Sequence, residues 1–443
     1  MTAVLRYLLE SYHSVSGNEL VIGGVGVLAL AEKYGTPAFV YDRGVIDKKL
    51  AELSSALPSH FSICYSVKAN PNPAVVRHFV SRGCGLEVAS GGEFLGAIEA
   101  GCRAQDILFA GPGKLKNELE LAVSRGIGEI HLESLTEAQR VNEIACKLGT
   151  RARVAIRVNP VGEAEGGAMR MGGRPAPFGV DEENIEAVLD FIRASDALDL
   201  QGIHIFSGTQ ILDANVLVAQ YRHGLEVTRR VARLTGKPLQ TLDFGGGLGI
   251  PYFAQDQALN MQLLRSELAK LFEPIGRDPL FRGTRFVVEP GRFLVGEAGV
   301  YLARVNDIKV SRGKKFLILD GGMNHHLAAS GNLGQTIKRN YPIAIANKMD
   351  LPDQETVDVV GPLCTPLDTL ARGITLPQAE IGDVVAIFQS GAYGCSASPL
   401  RFLSHPEPAE VWVESGHDSL ARRRGYIAEP LNEVVSAGCR ARA

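Results

Sequence analysis

The sequence has little of what marks several large classes of protein. Its seven cysteines are an odd number without a Cys-x-x-Cys pair, which favours reduced thiols in a cytoplasm over a disulfide framework or a zinc site. Lys and Arg number 46 against 49 Asp and Glu, so no basic excess indicates a nucleic acid partner. No apolar run reaches the roughly 18 residues that a membrane span needs, and the N-terminus lacks a secretory pattern. We therefore expect a cytoplasmic protein that binds neither membranes nor nucleic acids.

Two common nucleotide-binding motifs are also missing. No Gly-Lys-Ser/Thr sequence indicates a Walker-type loop, and the segment LDFGGGLG at 242–249 lacks the spacing of a dinucleotide fingerprint. This segment directly follows a strand-like stretch, so Gly245, Gly246 and Gly247 would let backbone N–H groups approach an anion. A purely structural turn is the alternative, because a tight turn needs only one or two glycines. We favour a site for a single phosphate group.

What the sequence does contain is a long alternation of strand-like and helical segments. At 443 residues, 45% of them apolar, the chain can bury a large core, and we expect two domains. The strand-like segments are Phe61–Val67, Gly85–Val88, Ile107–Ala110, Glu129–Leu132, Arg153–Val158, Gly202–Phe206, Thr241–Phe244 and Arg285–Glu289. The helical segments between them include Glu93–Ala100, Leu115–Arg125, Leu135–Leu148 and Asn215–Leu234. Such an alternation over about 250 residues is typical of a (β/α)₈ TIM barrel, which we place at 41–292; a doubly wound sheet is the alternative.

The pattern changes after the barrel. Short strand-like segments are then separated by turns rather than helices: Tyr301–Val310, Lys315–Leu319, Thr356–Val360, Val384–Phe388 and Ala409–Glu414. We predict a C-terminal β-barrel or sandwich domain at 293–443 that also takes in residues 1–40. The glycine-rich stretch 162–177 suggests a loop on the active face of the barrel, or else a plain exposed linker.

A lysine follows the first barrel strand, in the stretch YSVKANPNP at 65–73. The Asn-Pro-Asn-Pro sequence ends the strand, and a helical pattern begins at Ala74. Lys68 therefore lies at the carboxyl end of a strand, where α/β folds place their chemistry. If the walls around it are apolar, we expect its pKa to be lowered towards that of a usable amine. A surface lysine at a strand end is the alternative.

Two other strand ends carry reactive groups. Glu289 ends the last barrel strand and begins the sequence EPGR, so Gly291 and Arg292 follow it in a turn; a buried ion pair between acid and arginine is one interpretation. His204 lies within a strand, and the hydroxyl of Ser207 comes just past its end. A histidine whose nitrogens are satisfied inside the core is the alternative at that position.

The C-terminal module contributes two further candidates. Cys364 lies in the constrained turn GPLCTPLD, and Tyr393 is flanked by small residues in SGAYG. A small buried structural cysteine is the alternative for Cys364.

These groups together match the needs of one cofactor. A lysine, a site for one phosphate, an acid that could face a ring nitrogen and an imidazole that could stack on a ring indicate pyridoxal 5′-phosphate. A Schiff-base lysine with an acidic partner for the pyridinium is the mark of that cofactor. We predict no metal site.

The motifs YSVKANPNP, HIFSGTQ, DFGGGLG, EPGR, GPLC and SGAYG give the chain a family resemblance. From about Gly23 to about Val413 it resembles the fold-type III pyridoxal-phosphate decarboxylases, which include diaminopimelate, ornithine and arginine decarboxylases. The resemblance implies an alanine racemase-like fold and a head-to-tail homodimer with shared active sites. It also implies decarboxylation of an amino acid or aminoacyl group through an external aldimine.

The resemblance further implies a role for each candidate residue. Lys68 would be the Schiff-base lysine, His204 would stack on the cofactor ring, and Glu289 would pair with the pyridinium nitrogen. Cys364, donated by the other subunit, would be the proton donor. The residues implied for the phosphate are Ser207, Gly245, Gly246, Gly247, Gly291, Arg292 and Tyr393.

Departures from the family pattern bear on the substrate. The residue after the cysteine is usually acidic in diaminopimelate and ornithine decarboxylases, and here it is Thr365. Where diaminopimelate decarboxylases carry an Arg-Pro-x-Leu-Tyr element that helps hold the distal end of the substrate, this chain has NHHLAAS at 324–330, running on to KRNYP at 338–342. DGGMNHH, GPLCTP, MRMGG and HIFSGTQ resemble a subgroup that includes the butirosin-pathway decarboxylase, which acts on an aminoacyl group on a carrier protein, and exosortase-associated relatives. An acyl carrier protein is therefore an expected partner, and diaminopimelate decarboxylation in lysine biosynthesis is the alternative.

A catalytically inactive regulator with this fold is the rival from another functional class. The presence of Lys68, Glu289 and Cys364 argues against it. An acid opposite the ring nitrogen also favours decarboxylation over racemisation, because it keeps the ring a strong electron sink.

Overall fold

The computed structural model describes residues 2–161, 169–170, 175–206, 208–333, 335 and 337–425. The chain divides into two compact units, which are described separately. A β unit comprises Met1–Arg43, Gly299–Ser390 and Ala397–Ala443, and a barrel unit comprises Gly44–Ala298 and Gly391–Ser396. Within the described part of the chain, no helix combines the length and the apolar character needed to cross a membrane.

The barrel unit contains a closed barrel of eight parallel strands. In chain order they are Phe61–Ser66, Gly85–Val88, Ile107–Phe109, Glu129–Leu132, Ala152–Asn159, Leu198–Ile205, Thr241–Asp243 and Arg285–Val288. Each pairs in parallel with the next, and the eighth pairs with the first through Phe286 and Phe61, so the sheet has no free edge. This confirms the predicted (β/α)₈ fold and excludes the doubly wound alternative, which is an open sheet.

Helices follow the strands and cover the outside of the barrel. In chain order they are Arg43–Ala56, Pro73–Ser81, Gly91–Glu99, Lys116–Ser124, Leu135–Leu148, Ile185–Arg193, Ala214–Thr235, Met261–Phe272 and the short Arg292–Val295. Short strands also form: Val180–Asp181 pairs with the fifth barrel strand, and Met169–Arg170 pairs with Gly208–Thr209. The stretch 162–177, predicted as a loop, lies mostly outside the described residues.

The β unit is built on a largely antiparallel sheet. Its strands run in the order Thr369–Leu376, Glu355–Val360, Lys314–Leu319, Gly299–Ser311, Ala38–Asp42, Ala409–Glu414 and His417–Arg422. Val384–Ile387 pairs with Gly299–Ser311 and with Ile343–Ile345. A small sheet of Ser14–Ser16, Glu19–Ile22 and Val25–Gly26 and the helices Ala3–Ser11 and Val27–Tyr34 complete the unit. The predicted role of this unit in completing a dimeric active site stays a prediction.

Candidate active site

Lys68 lies in a single 3₁₀ turn, Val67–Ala69, directly after the first barrel strand. The Asn-Pro-Asn-Pro sequence then starts the next helix: the Asn72 side chain accepts from the N–H of Ala74 at 2.9 Å, and Pro73 occupies the first helical turn. An asparagine cap followed by proline is a strong helix start, so the chain must turn sharply between strand and helix. Lys68 is thereby held at the carboxyl end of the barrel, as predicted.

The Lys68 ammonium is paired with Glu87 of the second barrel strand. Its Nζ lies 3.0 Å from Oε1 and 2.9 Å from Oε2 of Glu87, and Ser66 Oγ donates to the same Oε2 at 2.5 Å. Glu87 is buried, whereas the Lys68 side chain keeps 46% of its surface exposed. The Lys68 amine is therefore open to a small molecule at the barrel mouth, while the buried carboxylate of Glu87 balances its charge.

The predicted lowering of the Lys68 pKa is wrong. Desolvation of the ammonium does lower its pKa, but the charges of Glu87 and Glu289 outweigh it and raise the pKa above its ordinary value. The walls around the amine are not apolar on every side, because a carboxylate from the next strand faces it.

Glu289 follows the eighth barrel strand and is buried beside His204 of the sixth. Glu289 Oε2 lies 3.4 Å from His204 Nε2, while Oε1 of the acid and both nitrogens of the histidine have no hydrogen-bond partner among the described residues. Burial lowers the pKa of His204, so its ring is neutral at pH 7. Burial would raise the pKa of Glu289, but His204, His131 and Lys68 lower it overall, so Glu289 is ionised. The site therefore joins a buried carboxylate to a neutral imidazole.

Three buried side chains that the sequence did not single out surround this pair. His131 of the fourth strand stacks on His204 with ring centroids 4.4 Å apart, and its Nε2 lies 3.1 Å from Glu129 Oε1. Asp243 of the seventh strand has its pKa raised well above the usual range by burial and by the charge of Glu289. His131, His204 and Glu289 each bring one ligand atom within 4.8 Å of the others. That the protein holds no metal there stays a prediction.

The glycine turn packs against the end of the eighth strand. The N–H of Gly245 donates to Asp243 Oδ1 at 2.7 Å, and the N–H of Glu289 donates to the carbonyl of Gly245 at 2.8 Å. A Cβ at Gly246 would lie 2.6 Å from the Glu289 carbonyl, and one at Gly247 would lie 2.8 Å from the Gly208 carbonyl. Gly245 and Gly247 also have φ of +65° and +108°, which side chains rarely adopt. The turn therefore needs glycine at all three positions, not one or two.

Arg292 and Tyr393 lie on the same side of the barrel. The Arg292 guanidinium is 4.8 Å from the centre of the Tyr393 ring and donates to Tyr252 Oη at 2.9 Å. The N–H of Tyr393 donates to the carbonyl of Ala69, next to Lys68, at 2.8 Å. A Cβ at Gly291 would lie 2.9 Å from that of Ala69, so the EPGR turn packs directly on the lysine turn. The EPGR turn and the backbone of Tyr393 are thus both neighbours of the turn that carries Lys68.

The contacts within the barrel unit do not test two of the predicted residues. Cys364 is exposed and belongs to the β unit. Ser207 lies outside the described residues. Their assigned roles stay predictions.

The residues present fit pyridoxal phosphate on two observations. Within the part of the chain that the structure describes, a buried carboxylate oxygen of Glu289 and the nitrogens of His204 lack partners, as expected where a ring nitrogen and a ring face would lie. The glycine turn has no room for side chains, because a Cβ at Gly245 would lie 3.2 Å from His204 Nε2 and one at Gly246 would lie 2.6 Å from the backbone carbonyl of Glu289. Glu87 could have been found from the sequence, since it is an acid inside the short apolar strand GLEV. His131 had a similar signal, as a histidine between Ile130 and Leu132.

Comparison with known proteins gives a consistent result. Residues 43–296 match the family model described as pyridoxal-dependent decarboxylase, pyridoxal binding domain. The chain is 38% identical over 402 residues to L-glutamyl-[BtrI acyl-carrier protein] decarboxylase of Niallia circulans. The aligned region covers 90% of this chain and 94% of that protein. It is 35% identical over 437 residues to diaminopimelate decarboxylase of Aquifex aeolicus, covering 96% and 100%.

A solved structure is similar over the same length. Diaminopimelate decarboxylase from M. jannaschii, in complex with L-lysine, is 27% identical and superposes with a TM-score of 0.87 over 96% of this chain and 97% of that one.

Proposed function

The chain belongs to the pyridoxal-dependent decarboxylase family, and within it we propose that this enzyme removes the α-carboxylate of a glutamyl-type aminoacyl group tethered to a carrier protein. The protein is a pyridoxal-phosphate-dependent decarboxylase. The proposal concerns its substrate, its site residues, its dimeric state and its location in the cytoplasm.

We assign the roles of the barrel residues from their contacts. Pyridoxal phosphate, when bound, supplies an electron sink for the electrons left by loss of CO₂. Lys68 would hold the cofactor, because its side chain is partly exposed at the carboxyl end of the barrel. Glu289 would keep a proton at the ring nitrogen, because its buried, ionised carboxylate has an oxygen without a partner. His204, neutral and buried, would lie against the ring.

Phosphate binding and proton return complete the assignment. The Gly245–Gly247 turn, Gly291, Arg292 and Tyr393 would hold the phosphate, with Ser207. Cys364 would return a proton to the α-carbon. Its exposure within one chain supports the view that a second copy covers it, so we propose a homodimer with shared sites.

One observation carries the choice of substrate: the segment Asn324–Ser330 turns its two histidines inward. His326 Nε2 lies 2.8 Å from Ser390 Oγ, and His325 Nε2 lies 2.9 Å from the Pro406 carbonyl. Both are buried, and burial lowers their pKa to about 4 for His325 and about 3 for His326. No side chain of this segment is therefore charged positively at neutral pH.

A free diamino acid would find no cation within 324–330 for its distal carboxylate; Lys338, which follows this segment, donates through Nζ to Asn332 Oδ1. In the diaminopimelate decarboxylases an arginine-containing element is expected in this stretch, and a distal carboxylate without a cationic partner binds poorly. A substrate whose distal carboxylate is bound to a carrier through an acyl bond has no charge at that end. The similarity to a relative named as acting on a carrier-bound glutamyl group supports the same choice.

A substrate panel tests this proposal. The holoenzyme would be given an L-glutamyl thioester of a carrier protein, the same group on pantetheine, free L-glutamate and free meso-diaminopimelate at equal concentrations. CO₂ release and the mass of the acyl group would be measured, with Lys68→Ala as the blank.

We expect turnover of the carrier-bound group, weaker turnover of the pantetheine thioester, and little of either free amino acid. Faster turnover of free diaminopimelate than of the carrier-bound group would overturn the substrate assignment and leave the decarboxylase class intact.

A further inference from the structure

His131 is a buried histidine that the proposed reaction does not use. It lies in the fourth barrel strand, Glu129–Leu132, and none of its surface is exposed. Its contacts to His204, Asp243 and Glu289, which come from three other strands or strand ends, place its ring inside the barrel. A polar imidazole in that position needs an explanation, because burying an aliphatic side chain in a barrel core costs less free energy.

The ring of His131 is held from one side by Glu129. Its Nε2 lies 3.1 Å from Glu129 Oε1, and Glu129 is buried on the same strand two residues away. Its other nitrogen, Nδ1, lies 3.9 Å from Glu289 Oε1, which is beyond hydrogen-bond distance. The bond to Glu129 therefore fixes the plane of this ring.

His204, in contrast, has no hydrogen bond that fixes its ring. Neither of its nitrogens has a partner among the residues that the structure describes, and its 3.4 Å approach to Glu289 lacks hydrogen-bond geometry. What contacts its face is His131, with ring centroids 4.4 Å apart and 30° between the planes. Offset-stacked rings of this kind favour one relative orientation.

We propose that His131 is a positioning residue of the cofactor site: braced by Glu129, its flat ring holds His204 in the orientation in which His204 lies against the cofactor ring. This rests on the proposed role of His204. A stacked pair fixed at one end holds the other face of His204 at a set angle, just as hydrogen-bonded partners orient a metal-ligating residue.

The proposal predicts that the flat ring matters more than the hydrogen bond. His131→Phe keeps a ring that can stack on His204 but cannot bond to Glu129, whereas His131→Gln keeps a hydrogen-bond donor without a ring. His78→Gln is the matched control, since His78 is also buried and bonded to one carboxylate, Asp47, at 2.8 Å. It lies on the helix Pro73–Ser81, outside the barrel core.

Cofactor binding measures the effect without relying on turnover. Each cofactor-free variant would be titrated with pyridoxal phosphate to obtain Kd, the induced circular dichroism of the bound cofactor would be recorded, and Tm would report folding. We expect His131→Gln to raise Kd by about tenfold, the loss typical of removing an orienting partner, and to weaken the dichroic band. His131→Phe should stay within about threefold of the wild-type Kd, by the persistence of the stack, and His78→Gln should change Tm alone.

Other outcomes are decisive as well. If His131→Gln keeps the wild-type Kd and dichroic band, the stacking role is wrong. It is also wrong if His131→Phe and His131→Gln raise Kd and weaken the band to the same extent. If His131→Phe does not fold, His131→Gln alone decides by the same criterion. If the wild-type protein binds no pyridoxal phosphate, the site assignment itself fails, and this result differs from each of the others.

Discussion

Glu87 places both of its carboxylate oxygens within 3.0 Å of the Lys68 ammonium, at 2.9 and 3.0 Å. The two residues come from neighbouring barrel strands whose carboxyl ends meet at one face. Glu87 is itself fixed by the hydroxyl of Ser66, two residues before the lysine. The amine is thus held charged and in place until a cofactor takes it.

Glu87 should control how readily Lys68 captures the cofactor. The amine must lose its proton to react with an aldehyde, and its raised pKa means that capture by the cofactor-free enzyme accelerates as pH rises through neutrality. Glu87→Gln removes the first of the two charges that raise this pKa, so capture at pH 8 should be faster by up to about tenfold for each unit of pKa lowered. Stopped-flow absorbance over a range of pH measures it.

Ser66→Ala is the matched control, because it removes the hydroxyl that holds Glu87 and leaves the charge. Its capture rate should lie close to that of the wild type. An unchanged pH profile in Glu87→Gln would show that the carboxylate does not govern the amine.

Glu289→Gln should reduce turnover far more than cofactor affinity. An amide cannot hold a proton on the ring nitrogen as a carboxylate does, whereas the phosphate cradle is untouched. Steady-state kinetics beside a cofactor titration separate the two effects. Activity within about tenfold of wild type, or roughly 1.4 kcal/mol of barrier, would be too small for the assigned role.

Cys364 and Lys68 should complement each other between subunits. Lys68→Ala and Cys364→Ala would each be impaired alone, but a mixed dimer contains one site with both wild-type residues. Random exchange gives half mixed dimers with one working site of two, so activity should recover to about a quarter of wild type. Recovery no greater than the sum of the two mutants would mean that one chain holds the whole site.

The buried pair Lys49–Glu297 should stabilise the barrel unit only as a pair. The two charges are 2.8 Å apart with 5% and 0% of their side chains exposed, and Lys49 Nζ also lies 3.8 Å from the Phe293 ring centre. Lys49→Met removes the cation that faces the buried Glu297 carboxylate and should lower the free energy of unfolding by about 3 kcal/mol, while Lys49→Met with Glu297→Leu should recover most of it.

Urea denaturation measures this loss. Lys270→Met is the control, because Lys270 is 72% exposed in its pair with Glu267 and should cost less than about 1 kcal/mol. Equal losses in the two lysine variants would contradict the role of burial.

The barrel could be predicted from the sequence because its parts have local causes. Parallel strands buried on both faces are short apolar runs, and seven of the eight expected strands agree with the observed ones to within one residue at each end, whereas the sixth begins at Leu198, four residues before the expected Gly202. The helix Leu135–Leu148 was predicted with both ends, because Ser134 caps its start and Gly149 takes the left-handed conformation at its end.

The interior of the site could not be predicted in the same way. Whether a lone polar residue in a buried strand faces the barrel axis or the helices depends on closure of the sheet, which no local pattern records. This is why Glu87, His131 and Asp243 were not singled out, and why the pKa of Lys68 was expected to move the other way. The strand His417–Arg422 was not predicted because its residues, HDSLAR, are mostly polar and exposed at the sheet edge.

The most direct test of the central claim is to find which lysine carries the cofactor. The holoenzyme would be reduced with borohydride, digested and mapped by mass spectrometry. The account predicts a pyridoxyl group on Lys68. Lys114 is the informative alternative: it too lies in the barrel unit, but it is fully buried, and its Nζ donates to the Gly111 and His131 carbonyls and to Glu137. A label on Lys114, or on any lysine but Lys68, would contradict the account.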